Sequence, residues 1–495
     1  MTSVVLRRAL LAPQLPLQDV VITGDRLSLV ETADDADHGE VIDLEGRFVL
    51  PGLWDRHVHF DQWAQVSARL DLSHVGSAAA AGQLVAAHVA AGDTPPDATM
   101  VGYGFRDALW PDAPRREVLD AAAPAIPVVL ISGDLHSAWL NSAALRRFGH
   151  RADAAGLLRE EAAMQVIGEV ARVGDDVADA WCLAAARSAA ARGVVGIVDM
   201  ERPFSLDAWR RRIASGNRSL RVVSAVWSER LDEAIARNMH TGDGVDGTDG
   251  LLSVGPFKVI TDGSLNTRTA FCRDPYARRD GATDEERGVL LVAPDELTRL
   301  MLRARDAGFE CAVHAIGDAA NAHVLQAFAR TGARGSVEHA QLLDDADVVR
   351  FAQLGVVASV QPEHALDDRD VADHYWAGRT RRAFPLRSLL DAGAVLRLGS
   401  DAPVAPLDPW LAIAAAVHRT RDARPRWHPE QEITIGEALA ASMPPERNGI
   451  VLGDGDVADL MVLDGDPFAA EPHELRTMPV AATMVAGHWT HRSGV

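Results

Sequence analysis

Six ionisable residues stand where apolar stretches of this sequence end, and their types point to a metal centre. His57 and His59 close the run Pro51-Gly52-Leu53-Trp54-Asp55-Arg56-His57-Val58-His59. In an extended strand, residues two apart face the same side, so both imidazoles can address one point. Lys258 follows in Phe257-Lys258-Val259-Ile260, His314 in Val313-His314-Ala315, His339 in Glu338-His339-Ala340, and Asp401 in Gly399-Ser400-Asp401-Ala402-Pro403. Imidazole is the commonest protein ligand for metals, and carboxylates join it readily. A single histidine means little among the 18 of this chain, but four histidines, a lysine and an aspartate, all at strand ends, form a coherent ligand inventory.

Lys258 is the only lysine; every other basic residue is arginine. A position that needs only a solvated positive charge is filled by arginine here, so the solitary amine suggests chemistry a guanidinium cannot perform. A buried lysine can lose its proton and attack a carbonyl or carbon dioxide, whereas arginine stays protonated. Three uses are open from the residue alone: addition to carbon dioxide, a Schiff base with a carbonyl, or a buried ion pair.

These residues need a scaffold that brings distant strand ends together. From about residue 50 to 445, short apolar runs alternate with helical patterns, the signature of repeated βα units. Strands are predicted at Phe48–Trp54, Val128–Ser132, Val194–Met200, Leu220–Trp227, Phe257–Thr261, Glu310–His314, Ser336–Glu338, Val356–Val360 and Val395–Gly399. Helices are predicted at Pro294–Ala307, which opens on Pro and is followed by Gly308, and at Asp318–Thr331. Ala-rich stretches at Ser77–Ala91 and Glu160–Arg192 read as helical by propensity. The economical architecture is an α/β fold, a TIM (β/α)8 barrel over residues 51–450, with insertions between its first strand and the lysine strand. Residues at the C-terminal ends of barrel strands converge on the mouth. Residues 1–50 and 451–495 carry short β-like pieces without long helices, such as Asp19–Ile22, Glu40–Ile42, Leu460–Leu463 and Ala481–Val485. They are expected to pair into one small composite β-sandwich domain.

Composition narrows the class of protein. The chain has 495 residues, 49 Lys plus Arg against 70 Asp plus Glu, and a formal charge of −21, a poor match for nucleic acid or an anionic membrane surface. Its 47% hydrophobic and 24% charged residues are those of a folded globular chain. There is no membrane-length apolar run, no secretory leader pattern, and only three scattered cysteines, Cys182, Cys272 and Cys311. The expectation is a cytoplasmic protein acting on a small molecule, either alone or as a homodimer.

Further segments sharpen the reading: Asp134-Leu135-His136-Ser137-Ala138-Trp139-Leu140-Asn141, Thr261-Asp262-Gly263-Ser264-Leu265, His314-Ala315-Ile316-Gly317-Asp318-Ala319-Ala320, Val360-Gln361-Pro362, Gly399-Ser400-Asp401-Ala402-Pro403-Val404 and Ala458-Asp459-Leu460. With the motifs above, they resemble the metal-dependent amidohydrolase superfamily. The resemblance is to its YtcJ-like branch (amidohydrolase family 3), which includes N-substituted formamide deformylases, and it runs over almost the whole chain. It implies two divalent metals, usually Zn2+. His57, His59 and Asp401 would hold the first and His314 and His339 the second, with Lys258, carboxylated to a carbamate, between them. A divalent cation lowers the pKa of a bound water towards about 7 and polarises a carbonyl. Asp401 would then move the water proton to the leaving amine, and His136 would contact the substrate carbonyl.

The implied reaction is hydrolysis of a C–N bond in an amide, an N-acyl or N-formyl compound, or a cyclic amide. Isomerisation or decarboxylation by a related site, and a catalytically silent barrel, are the alternatives. Trp54, Trp63, Trp110 and Trp139 are candidates to wall an apolar substrate pocket. Arg268 is a candidate to bind a substrate carboxylate. Glu338, Asp318 and Asp55 are candidates to orient the imidazoles, with capping or turn roles as the alternative.

Overall fold

The structure, a computed structural model, describes residues 3–33, 39–92, 98–105, 107, 110–132, 137–151, 155–202, 204–277, 286–444, 447 and 449–495. The chain divides into two compact units, Met1–Phe60 with Ala186–Val495, and Asp61–Ala185.

The first unit is built on eight parallel strands: β1 (Leu53–Val58), β2 (Val194–Asp199), β3 (Arg221–Trp227), β4 (Leu252–Ile260), β5 (Cys311–Ala315), β6 (Gly335–His339), β7 (Val357–Val360) and β8 (Leu396–Leu398). Each hydrogen-bonds to the next in chain order. The ring is drawn together where β8 meets β1: Asp401 N donates to His57 O at 2.7 Å, and His59 N donates to Ala402 O at 2.8 Å. The result is a nearly closed, TIM-like barrel. Strands buried on both faces read as continuous apolar runs rather than as alternation, and β2, Val-Val-Gly-Ile-Val-Asp, is buried at every position.

Helices return the chain between strands where the punctuation predicts. One spans Pro294–Asp306 with Pro at its start, and another spans Asp318–Thr331 and ends on left-handed Gly332. Residues 48–54, expected as a single strand, divide at Gly52. Phe48–Pro51 pairs antiparallel with Leu460–Leu463, while Leu53–Val58 enters the barrel. The joint needs glycine, because a Cβ there would lie 2.1 Å from Val195 Cγ1. At Gly196 a Cβ would fall 2.2 Å from the ring of Trp54, which is 5% exposed and therefore packed against the barrel wall. Gly196→Ala is accordingly expected to destabilise this unit by about 1–3 kcal/mol through overpacking, read as a lower thermal midpoint.

The chain ends form two four-stranded sheets. One contains Ser3–Ala9, Gln18–Thr23, Arg26–Val30 and Glu40–Asp43; the other contains Phe48–Pro51, Leu460–Leu463, Val480–Val485 and His488–Arg492. Residues of both ends share one apolar cluster that includes Leu6, Val20, Val49, Val462 and Met484.

The second unit has its own five-stranded sheet, ordered Leu157–Arg159, Ser137–Leu140, Val128–Ser132, Met100–Phe105 and Leu70–Asp71. The strand predicted at Val128–Ser132 therefore exists but lies outside the barrel; its five buried apolar residues carry no mark of which sheet they join. Ala78–Ala91 is helical and capped by Ser77. The stretch Glu160–Arg192, expected as helical, is two helices, Glu160–Ala171 and Asp175–Ala190, with Gly174 in the break. Among the described residues, no helix is long and apolar enough to cross a membrane.

Candidate metal centre

The barrel brings the six predicted strand-end residues to its mouth. His57, 1% exposed at the end of β1, donates from Nδ1 to Glu338 Oε2 on β6 at 2.6 Å, leaving Nε2 3.4 Å from Asp401 Oδ1. His59 places its own Nε2 3.4 Å from the same Asp401 oxygen. His339 ends β6, and its ring centroid is 5.0 Å from His57 and 4.4 Å from His314 on β5. Its Nδ1 is held by Gln361 Oε1 at 2.8 Å. Lys258 on β4 is 1% exposed, and its charge acts on the imidazoles of His57, His59, His314 and His339.

The backbone is bent to make this arrangement. His339 (φ 78°), Ala340 (φ 44°) and Asp401 (φ 56°) lie in the left-handed region. Such non-glycine conformations cost about 1–3 kcal/mol each and persist where surrounding structure holds them. Here the holding bonds are Asp401 N to His57 O at 2.7 Å and Ala340 N to Ala315 O at 3.1 Å.

Electrostatics favour neutral bases beside fixed carboxylates. Burial, then the Lys258 charge, lowers His57 below its ordinary range and takes His314 down to about 3. Burial, then His314, holds His339 well below its ordinary value. Burial also pushes the Lys258 ammonium down, against the pull of Glu338 and Asp401. His59 moves the other way: burial opposes its charge, but the Asp401 carboxylate prevails and raises it. Burial pushes both Asp401 and Glu338 upward, yet His57 and His59 hold Asp401 well below the usual carboxylate range. The His57 hydrogen bond, with Lys258 and Ser336, likewise holds Glu338 at about 2.

The folded value of Glu338 is below its ordinary 4.5, so its contribution to stability is present above about 4.5 and is lost as pH falls towards about 2. In chelator-treated protein, the stability gap between wild type and Glu338→Gln is expected to narrow as pH falls through that window, read by denaturant titration at several pH values.

The donor set fits a divalent cation. Lys258 Nζ, His59 Nδ1 and His364 Nε2 are buried and, among the described residues, have no hydrogen-bond partner. Buried polar atoms normally have one, and leaving them without costs about 1–3 kcal/mol each. Imidazole nitrogens with carboxylate oxygens suit Zn2+ and related ions. Two groups of three have all their ligand atoms within 4.8 Å of one another: His57 with His59 and Asp401, and His339 with His364 and Asp401.

His364 was not anticipated from the sequence. It lies on the short helix Pro362–Asp367 that follows β7, so it carries no strand-end signature; the available signal was the polar Gln361-Pro362-Glu363-His364 run beginning where the strand stops. His314, in contrast, turns Nε2 towards Gly263 O at 3.4 Å and Asp262 Oδ1 at 3.5 Å.

The remaining candidates lie as follows. Trp139 is fully buried in the apolar core of the second unit, edge-on to Phe105 and Trp110. Trp110 packs on the same cluster and donates from Nε1 to Val75 O at 3.1 Å. These are packing roles, set by the unit's need for a core of its own. Arg268 is half-buried, 3.4 Å from Glu286 and over the Tyr375 ring at 5.6 Å. His136 lies outside the described residues. Glu338 orients an imidazole, whereas Asp318 is buried against Arg273 N and Arg382. Asp55 accepts from the backbone of His57 and Ser400, and burial raises it to about 6.

A TIM-like barrel with histidines and an aspartate gathered at its mouth defines a metal-dependent hydrolase. The chain belongs to the amidohydrolase family, which it matches over residues 40–491. It is 28% identical over 487 residues to the protein YtcJ of Bacillus subtilis (strain 168), covering 90% of each chain. It is 25% identical over 518 residues to the N-substituted formamide deformylase of Arthrobacter pascens, covering 95% of this chain and 94% of that one. The crystal structure of an uncharacterized metal-dependent hydrolase from Pyrococcus horikoshii OT3 superposes with a TM-score of 0.77 at 25% identity, covering 95% of this chain and 99% of that one.

Proposed function

We propose that this protein hydrolyses a carbon–nitrogen bond of a small molecule: an amide, an N-acyl or N-formyl amine, or a cyclic amide. The observation that carries the reading is the convergence of His57 and His59 on one oxygen of Asp401, each at 3.4 Å. His57, His59 and Asp401 would hold one Zn2+, and His314 and His339 a second. Bound there, the metal would polarise the substrate carbonyl and acidify water.

The chain's own groups do the rest. Glu338 and Gln361 fix the Nδ1 atoms of His57 and His339, which leaves each Nε2 lone pair directed into the site. The buried Lys258 ammonium, disfavoured by burial, gives one proton to solvent and the free amine adds to carbon dioxide: an Nζ–C bond forms as a C–O π bond opens, a second proton leaves to solvent, and an anionic carbamate takes the place of the cation. Asp401, held ionised, accepts a proton from water and delivers it to the departing nitrogen. His136 is assigned to the carbonyl oxygen of the substrate, and Arg268 is the group suited to a substrate carboxylate. The two end sheets, sharing one cluster, are read as a composite β-sandwich domain. The three free, buried cysteines suit a reducing cytoplasm.

The test is a panel of amides, carbamates, cyclic amides and N-formyl amines, offered to zinc-loaded protein in 18O-labelled water. N-formyl amines come first, given the similarity to a formamide deformylase. Label is expected in the product carboxylate, with activity lost on chelation and restored by Zn2+. An isomerised or decarboxylated product without label would favour the alternative chemistries, and unchanged turnover in metal-free protein would remove the metal from the reaction.

A further inference from the structure

His364 is 6% exposed on the helix Pro362–Asp367, and nothing in the ligand set above uses it. A core histidine with a purely structural role ordinarily satisfies both ring nitrogens. His364 does not: Nε2 is buried without a partner among the described residues, while Nδ1 faces the side-chain amide of Gln341 at 3.5 Å. Its ring stacks on His339, with centroids 6.4 Å apart and planes at 14°. Its ligand atom, that of His339 and an Asp401 oxygen lie within 4.8 Å of one another, a triplet that His314 does not join.

The helix is anchored for such a task. The adjacent Glu363 is gripped by Arg476 through both carboxylate oxygens, at 2.7 and 3.0 Å, and by Arg421 at 3.3 Å. Pro362 at the first position fixes the exit from β7.

We infer that His364 is a ligand of the second cation, joining His339 there and drawing Asp401 into both halves of the centre. The inference rests on the two-cation reading above. It also accounts for Gln341, whose Oε1 is buried and without a partner among the described residues while its Nε2 faces Nδ1. Turning the amide over sets Gln341 Oε1 against His364 Nδ1, which then donates, and His364 Nε2 keeps its lone pair for the metal. The pattern repeats that of His57 with Glu338 and His339 with Gln361.

The experiment is Co2+ titration of metal-free full-length protein, followed by visible absorption and by metal content after gel filtration. Wild type is expected to take up two ions per chain in separable steps. His364→Gln should keep the first step, weaken the second by more than about 10-fold and alter its absorption band. Gln341→Leu, which leaves the imidazole in place, should weaken the same step by about 10-fold. His488→Gln, an exposed position in an end sheet, should change neither.

Two ions bound by His364→Gln with unchanged affinity and spectrum would overturn the assignment, whatever happens to turnover. If His364→Gln does not fold, an unaltered titration of Gln341→Leu overturns it equally. A wild type that binds a single ion fails the two-cation reading itself, and this assignment with it.

Discussion

Lys258→Arg is expected to lower kcat/KM by at least about 10^3-fold and to reduce bound metal, with the barrel still folded. Arginine keeps the positive charge and approximates the length, so a lysine serving only as a buried cation would tolerate the change. It cannot form a carbamate, because its guanidinium stays protonated and is a poor nucleophile towards carbon dioxide. The variant therefore sets a fixed cation among imidazoles that are already held neutral by burial. Repulsion between that cation and any metal is the origin of the expected loss. Metal stabilisation of the transition state is worth several kcal/mol, and about 4 kcal/mol corresponds to roughly 10^3 in rate. Metal analysis and steady-state kinetics read the two effects separately. A second signature is bicarbonate: zinc reconstitution of wild type should improve with added bicarbonate, and that of Lys258→Arg should not. Full activity and normal metal content in the variant would contradict the carbamate.

Asp401→Asn is the second large effect. The amide keeps the shape and one acceptor oxygen but loses both the charge and the basicity. Its proton-transfer role alone is worth about 10^2–10^4-fold in kcat. Because Asp401 belongs to both ligand triplets, metal content should fall as well. His57 and His59 hold the wild-type carboxyl well below the usual range, which favours the charged form that accepts the proton. Wild-type kinetics in Asp401→Asn at matched metal occupancy would remove the aspartate from proton transfer.

The site was legible to the extent that it sits at strand ends. His57-x-His59, Lys258, His314, His339 and Asp401 each follow an apolar run, and parallel barrel strands deliver such ends to a common mouth. The strand predicted at Leu220–Trp227 appears as Arg221–Trp227, and that at Val356–Val360 as Val357–Val360. His364 escaped because it is helical, four residues beyond the end of its strand, where no periodicity distinguishes a ligand from a surface histidine. Gln361 and Gln341 escaped because an amide that holds an imidazole resembles any other polar loop residue. The second unit was not legible as a unit. Val128–Ser132 is as apolar as a barrel strand, and only tertiary pairing separates the two sheets. The same limit applies to Trp110 and Trp139, whose size suits a pocket wall or a small core equally well.

The seam between the last strand and the first is fastened by the main chain of His57, His59, Asp401 and Ala402. Three of those residues are the proposed holders of one ion, so an ion bound there would brace the seam that their main chain already fastens. Stripped protein should accordingly breathe first at this latch, exchanging the amide hydrogens of His59 and Asp401 sooner than those inside β4 or β5. Endurance against heat then becomes a property of the ion supply as much as of the polypeptide.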